Sequence, residues 1–155
     1  MTPYRVVAIP EAVAQAVRAT GKSPQYGHPA HTEVATGSGP CRQCLRAFVV
    51  GSERRILFTY DPFEETDPFP LPGPVFIHEA PCERYPENDG LPEYLRGQRL
   101  TLNAYGRGRV LRAQERVADE SVEPTLEHLL GRPDVDYIHI RSTEAGCYGF
   151  RVERR

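Results

Sequence analysis

No apolar run in this sequence approaches the roughly 18 residues that a membrane span requires. The N-terminal Met1-Thr2-Pro3-Tyr4-Arg5-Val6-Val7-Ala8-Ile9, followed by Pro10-Glu11, lacks the longer apolar core and small-residue cleavage site of a secretory signal. A bias of charge is missing as well. Against 21 acidic residues stand 19 basic ones, a formal net charge of −2, which carries neither a nucleic-acid footprint nor an acidic tail. The basic end Arg151-Val152-Glu153-Arg154-Arg155 reads as a solvated terminus. Together these absences predict a cytoplasmic protein that partners neither a membrane nor nucleic acid. In that compartment thiols stay reduced, so the four cysteines point to metal binding or catalysis before disulfides.

Internal repeats and composition breaks are also missing, and 155 residues fit one domain, 1–155. A chain of this size needs no covalent staple to fold. Proline (15) and glycine (13) make it loop-rich, yet below the range of disordered chains. Residues 4–9 alternate as a strand. Pro10 then suits a helix start, and Ala12, Val13, Ala16, Val17 and Ala19 follow at helical spacing up to Gly21. Residues 21–40 show no periodicity and read as a long loop. Strands are expected over 55–61 and 75–78, with an acidic, proline-rich stretch at 64–74, an irregular segment at 80–90 and one helical turn at 91–96. A hairpin follows, 99–105 with 109–117 around Gly106-Arg107-Gly108. Ser121 is placed to cap a short helix that runs through Leu130 to Gly131. A second hairpin, 134–141 with 147–152, closes the chain. Short links between successive strands favour antiparallel pairing. The expected fold is therefore α+β, a mostly antiparallel sheet with two main helices and long irregular loops.

What chemistry there is lies in the cysteines. Pro40-Cys41-Arg42-Gln43-Cys44 is one close pair of thiols, and His78 with Cys82 is a second close pair of ligand type. Two such pairs are how chains commonly supply a tetrahedral zinc site, and Cys41, Cys44, His78 and Cys82 are its candidate ligands. Glu79 and Glu83 flank the second pair, but the helical His-Glu-x-x-His arrangement of a zinc hydrolase is lacking. Thiol redox chemistry is an alternative, although no long helix is expected after Cys44 as a thioredoxin context demands. His28 and His31 lie in the long loop as surface residues or spare ligands. His128 falls in the last turn of a helix, where a cation suits the helix dipole without any function. Gly106-Arg107-Gly108-Arg109 is not followed by a helix N-terminus and so is not a phosphate loop.

Strand alternation offers a second candidate site. In 137–141 the isoleucines share one face, and Tyr137, His139 and Arg141 the other. In 147–152 Tyr148, Phe150 and Val152 share a face, and Cys147, Gly149 and Arg151 the opposite one. With apolar faces aligned, His139, Arg141, Cys147 and Arg151 lie on one polar side. That side is either the wet face of the sheet or the floor of a cleft for a small anionic ligand or for acid-base chemistry. His139, Arg141 and Cys147 are the candidate catalytic residues, Cys147 as a nucleophile if His139 is within reach.

Several stretches in order carry a wider likeness: Pro40-Cys41-Arg42-Gln43-Cys44-Leu45, Tyr60-Asp61-Pro62-Phe63, Gly73-Pro74-Val75-Phe76-Ile77-His78 with Cys82, Asn103-Ala104-Tyr105, and His139-Ile140-Arg141 with Gly146-Cys147-Tyr148. Together they resemble a bacterial family catalogued as domain of unknown function 1203, from Tyr4 to Glu153. Ser142 and Tyr148 stand where that family commonly carries Asn and Phe. The resemblance implies a small stand-alone cytoplasmic bacterial protein and implies no particular reaction. The leading expectation is thus a zinc-binding protein. An enzyme using the His139 face, or a thiol redox or interaction module, is the alternative.

Overall fold

Apolar alternation in the strands has its counterpart in the three-dimensional structure, a computed structural model that describes residues 3–64 and 69–155. The elements run β1 (Tyr4–Val7), α1 (Glu11–Thr20), β2 (His31–Val34), β3 (Arg54–Tyr60), β4 (Gly73–His78), β5 (Arg99–Gly106), β6 (Val110–Ala118), α2 (Val122–Leu130), β7 (Tyr137–Ser142) and β8 (Tyr148–Arg154). All strand pairs are antiparallel, so the architecture is α+β as expected. Contacts divide the chain into two compact units, residues 8–85 and residues 86–155 with the N-terminal strand. Among the described residues no helix is long and apolar enough to cross a membrane.

The unit of 86–155 and β1 is a five-stranded sheet ordered β1-β8-β7-β5-β6. Register aligns Leu102 with Ile140 and Phe150, and Ala104 with Ile138, Val152 and Val6, which builds apolar rows across one face. Helix α2 packs on β5, β6 and β7 and buries Val122, Leu126, Leu129 and Leu130. Tyr4 on β1 donates its hydroxyl to Glu123 at 2.5 Å. Arg154 at the end of β8 donates to the carbonyls of Leu130, Arg132 and Val135, each at 2.6 Å. The Leu130 carbonyl is one that the end of α2 leaves unsatisfied, and a guanidinium suits that negative pole; the other two carbonyls belong to the segment after the helix.

The unit of 8–85 is built on a three-stranded sheet ordered β2-β3-β4. Ile56 pairs with Ile77 and Phe58 with Val75 on its apolar face. The alternate residues put Arg55 opposite His78 and Leu57 opposite Phe76. Phe76 and His78 therefore share the face opposite Val75 and Ile77. Helix α1 ends as its spacing predicts, with Gly21 at φ 67° donating its N–H to the Val17 carbonyl.

Three expectations need correction. Residues 21–40 are not loop throughout, since β2 lies inside them. Its residues are mostly exposed, so no apolar alternation betrays it. Arg55 fastens it instead, donating to Glu33 at 3.0 Å, Thr36 at 3.0 Å and the Gly37 carbonyl at 3.2 Å. Ser121 does not cap α2. A 3₁₀ turn, Asp119–Ser121, precedes the helix, and the Ser121 hydroxyl donates to the Ala118 carbonyl at 2.7 Å. Lastly, Tyr148 does not share a face with Phe150. The β7–β8 register shifts between Ile140 and Arg141, which sets Tyr148 opposite Arg141. The proline-rich stretch 64–74 includes 65–68, which lie outside the described residues.

Candidate metal centre

A tight backbone turn presents the first thiol pair. The Leu45 N–H donates to the Cys41 carbonyl at 2.8 Å, and the Cys41 N–H to the Arg46 carbonyl at 3.0 Å. Leu45 sits at φ 55°, a left-handed conformation that ordinary residues adopt only when surroundings enforce it. Gly39, at φ 92°, is held under Phe48, where an added Cβ would lie 2.3 Å from the ring. Only glycine fits there. The turn is tied to β4 by the Arg42 N–H on the Phe76 carbonyl at 2.8 Å.

The second pair comes from the end of β4 and the segment after it. The Tyr85 N–H donates to the Gln43 carbonyl at 2.8 Å. Arg84 donates to the carbonyls of Ile9 at 3.0 Å and Ala8 at 2.6 Å. Residues 79–85 are thereby strapped across the thiol turn. In α1, Arg18 donates through Nε and Nη2 to the His78 carbonyl at 3.1 and 2.9 Å.

These elements bring together all four residues that sequence spacing proposes as metal ligands. The donor atoms of Cys41, Cys44, His78 and Cys82 lie within 4.8 Å of one another. Cys41 Sγ is 3.8 Å from Cys82 Sγ, and Cys44 Sγ is 3.5 Å from His78 Nδ1. The set is largely enclosed: Cys41, Cys44 and His78 are buried and Cys82 half-buried. It is compatible with a bound metal ion.

The three sulfurs shift one another in opposite directions. Hydrogen bonds from Cys41 and Cys82 hold the Cys44 thiol far below its ordinary range. Sharing hydrogen with Cys44, then with Cys82, and burial push Cys41 far above it. Cys82 is also raised, because Cys44 and burial outweigh the lowering hydrogen bond with Cys41. Three crowded sulfurs ionise together only where positive charge neutralises them. Two cations stand beside the group. Arg18 Nη2 donates to Cys82 Sγ at 3.5 Å, and the Arg46 guanidinium is held above its ordinary pKa by Cys44. The Cys82 thiol faces the Gln43 side-chain oxygen at 3.4 Å.

The imidazole of His78 is gripped on its other sides. Its ring meets Phe48 edge-on at 4.7 Å between centroids, and its Nε2 lies 3.0 Å from the Glu53 carboxylate. Sequence reading misses Glu53, Arg18, Arg46 and Gln43. Gln43 and Arg46 sit inside or beside the thiol turn, which is their one sequence signal. Arg18 and Glu53 carry none, because tertiary structure alone brings them near.

The polar-face residues fare differently. His139 is fully buried, so its face of β7 is not a wet surface. Its ring lies 5.4, 5.2 and 4.9 Å from those of Tyr105, Tyr137 and Tyr148. The β-bulge supplies Tyr148, which strict alternation assigns to the other side. Burial first, then Arg141, Arg151 and Arg109, depress the His139 pKa to about 2, so the ring stays neutral. Arg141 donates to the Gly146 carbonyl at 3.1 Å, and its guanidinium lies 5.7 Å from the centre of the Tyr148 ring. Cys147 sits in the hairpin turn, its carbonyl bonded by the Ser142 N–H at 3.0 Å and its thiol facing the Ala145 carbonyl. Ser142 lies three positions beyond His139, about 10 Å along β7. The structure does not pair Cys147 with His139. His28 bonds Ser23 and Thr59, and His31 lies by Glu33, so neither joins the cysteines.

Comparison with curated proteins gives no match, and comparison with solved structures gives none. A family profile does match, over residues 38–154, a span that holds the thiol turn, His78, Cys82 and the β5–β8 hairpins. The chain belongs to the family described as Protein of unknown function (DUF1203).

Proposed function

We propose that this is a small cytoplasmic zinc-binding protein in which Cys41, Cys44, His78 and Cys82 hold one structural zinc ion. The observation that carries the reading is the spacing of the donor atoms. Zinc bonds thiolate at about 2.3 Å and imidazole at about 2.0–2.1 Å. A tetrahedron with those bonds has edges of about 3.8 Å between sulfurs and about 3.6 Å from sulfur to nitrogen. The Cys41–Cys82 and Cys44–His78 distances, 3.8 and 3.5 Å, are such edges. Four protein ligands fill a tetrahedron, which marks a structural site rather than a catalytic one with an open position. Three soft thiolates with an imidazole suit zinc better than the hard cations, which take oxygen.

A reducing compartment is the setting this reading needs, since all four cysteines are free. The role of the ion is to hold the thiol turn and residues 79–85 against β4. Ordering that irregular backbone costs about 1–2 kcal/mol per residue fixed, and metal binding offsets it. Cobalt substitution tests the site. The expected result is one Co²⁺ per chain with the strong visible bands of a tetrahedral thiolate centre, displaced by Zn²⁺. Weak, octahedral-type absorption would refute it.

A further inference from the structure

The Glu53–His78 contact goes beyond the ligand set. Glu53 closes the turn that leads into β3. Its backbone N–H donates to the Val49 carbonyl at 3.0 Å, and its carbonyl accepts from Ala35 at 2.8 Å. Its carboxylate is used at both oxygens. Oε1 accepts the Val49 N–H at 2.7 Å, and Oε2 lies 3.0 Å from His78 Nε2. A carboxylate fixed at one oxygen by backbone has little freedom left at the other.

A neutral imidazole carries one proton on one of its two nitrogens, and only the other can bind a metal. A carboxylate accepts and does not donate when ionised. A Glu53 carboxylate at Nε2 therefore keeps the proton there and leaves the Nδ1 lone pair facing Cys44, at 3.5 Å. The Phe48 ring, at 4.7 Å, limits rotation of the imidazole. On the Nε2 side lies a pocket of about 500 Å³ lined by Ser52, Glu53, Arg54, His78, Glu79 and Ala80. Without Glu53, water in that pocket would be the competing partner for Nε2.

We propose that Glu53 is the positioning residue of the metal centre: it sets the His78 tautomer so that Nδ1 is the ligand. It also strengthens that nitrogen as a donor, as outer carboxylates do for metal-bound histidines. This inference rests on the zinc reading. The carboxylate is not itself a ligand, because it lies at the nitrogen that faces away from the sulfurs.

The test compares the full-length wild type with Glu53→Ala and Glu53→Gln by zinc titration against a chromophoric chelator. Nitrogen NMR of the zinc-loaded proteins reads the His78 tautomer. Wild type should bind zinc through Nδ1 with a proton on Nε2. Glu53→Ala should lose about 10–100-fold in zinc affinity. Glu53→Gln, which keeps an acceptor oxygen for Nε2–H, should recover part of that loss and covers the case in which Glu53→Ala fails to fold. A merely structural Glu53 would lower the stability of the zinc-free protein and leave affinity and tautomer alone. Unchanged affinity in both variants, or zinc on Nε2, would overturn the positioning role while the zinc centre stood. A wild type that binds no zinc would overturn both.

Discussion

At the scale of residues, each ligand depends on a neighbour that the ligand pattern does not reveal. Cys41 also accepts the backbone N–H of His78 at 3.3 Å, so the two ligand pairs are joined even before an ion arrives. With zinc 1,000-fold above its dissociation constant, the ion adds about 4 kcal/mol of stability. Cys41→Ser and Cys44→Ser should remove most of that contribution and zinc content together. Melting with and without chelator checks it: wild type should shift and the serine variants should not. A shift that survives in both variants would argue against the ligand set.

His139 yields a prediction of another kind. Facing it are Tyr137 and Arg141 of its own strand, Tyr105 and Asn103 of β5, Tyr148 and Arg151 of β8, and Arg109 of the β5–β6 turn. Its pKa is depressed to about 2, whereas an unfolded histidine titrates near 6.5. Below about pH 6.5 the unfolded chain takes up a proton that the folded one refuses, so stability falls as pH falls, by at most about 1.4 kcal/mol per unit. His139→Phe should lose about 2–3 kcal/mol less than wild type between pH 6.5 and 4.5, read from urea unfolding at fixed zinc. Parallel curves would contradict the burial argument. Sequence alternation places His139 with Arg141 correctly, but it cannot say whether that face is wet. Burial is a tertiary fact, and the bulge that brings in Tyr148 leaves no mark in the alternation.

At the scale of elements, strands with an apolar face were legible, and so was the mostly exposed β6, through its hairpin with β5; β2 was not. β5, β7 and β8 carry the Leu102, Ile140 and Phe150 row, and α1 carries its 3.6-residue stripe. β2 is held by the Arg55 guanidinium, which lies 3.8 Å from the centre of the Phe76 ring, and no periodicity announces such a strand. Two substitutions probe elements directly. Gly39→Ala should destabilise the thiol turn by at least about 1–2 kcal/mol, from left-handed strain alone, before the Phe48 clash. Arg154→Ala leaves the Leu130 carbonyl at the end of α2 and the Arg132 and Val135 carbonyls beyond it without their guanidinium, at about 1–3 kcal/mol. Chemical denaturation checks both, and losses under about 0.5 kcal/mol would contradict them.

For the whole molecule, the length suggests one domain, while contacts divide into units 8–85 and 86–155 with β1. The metal ligands all fall in the first of these. Zinc removal should therefore raise hydrogen exchange first in 39–46 and 78–85 and leave β5, β7 and β8 protected. Equal loosening across the chain would contradict a local structural role. Both close pairs stand out in the sequence because thiolate and imidazole are rare and paired. Their meeting in space did not, since it depends on Arg42 docking on Phe76 and on Arg84 strapping 79–85 to the carbonyls of Ala8 and Ile9.

Elemental analysis of the purified, untagged protein, paired with a free-thiol count, tests the central claim most directly. The account predicts about one zinc per chain with only Cys147 freely reactive. No metal and four reactive thiols would contradict it.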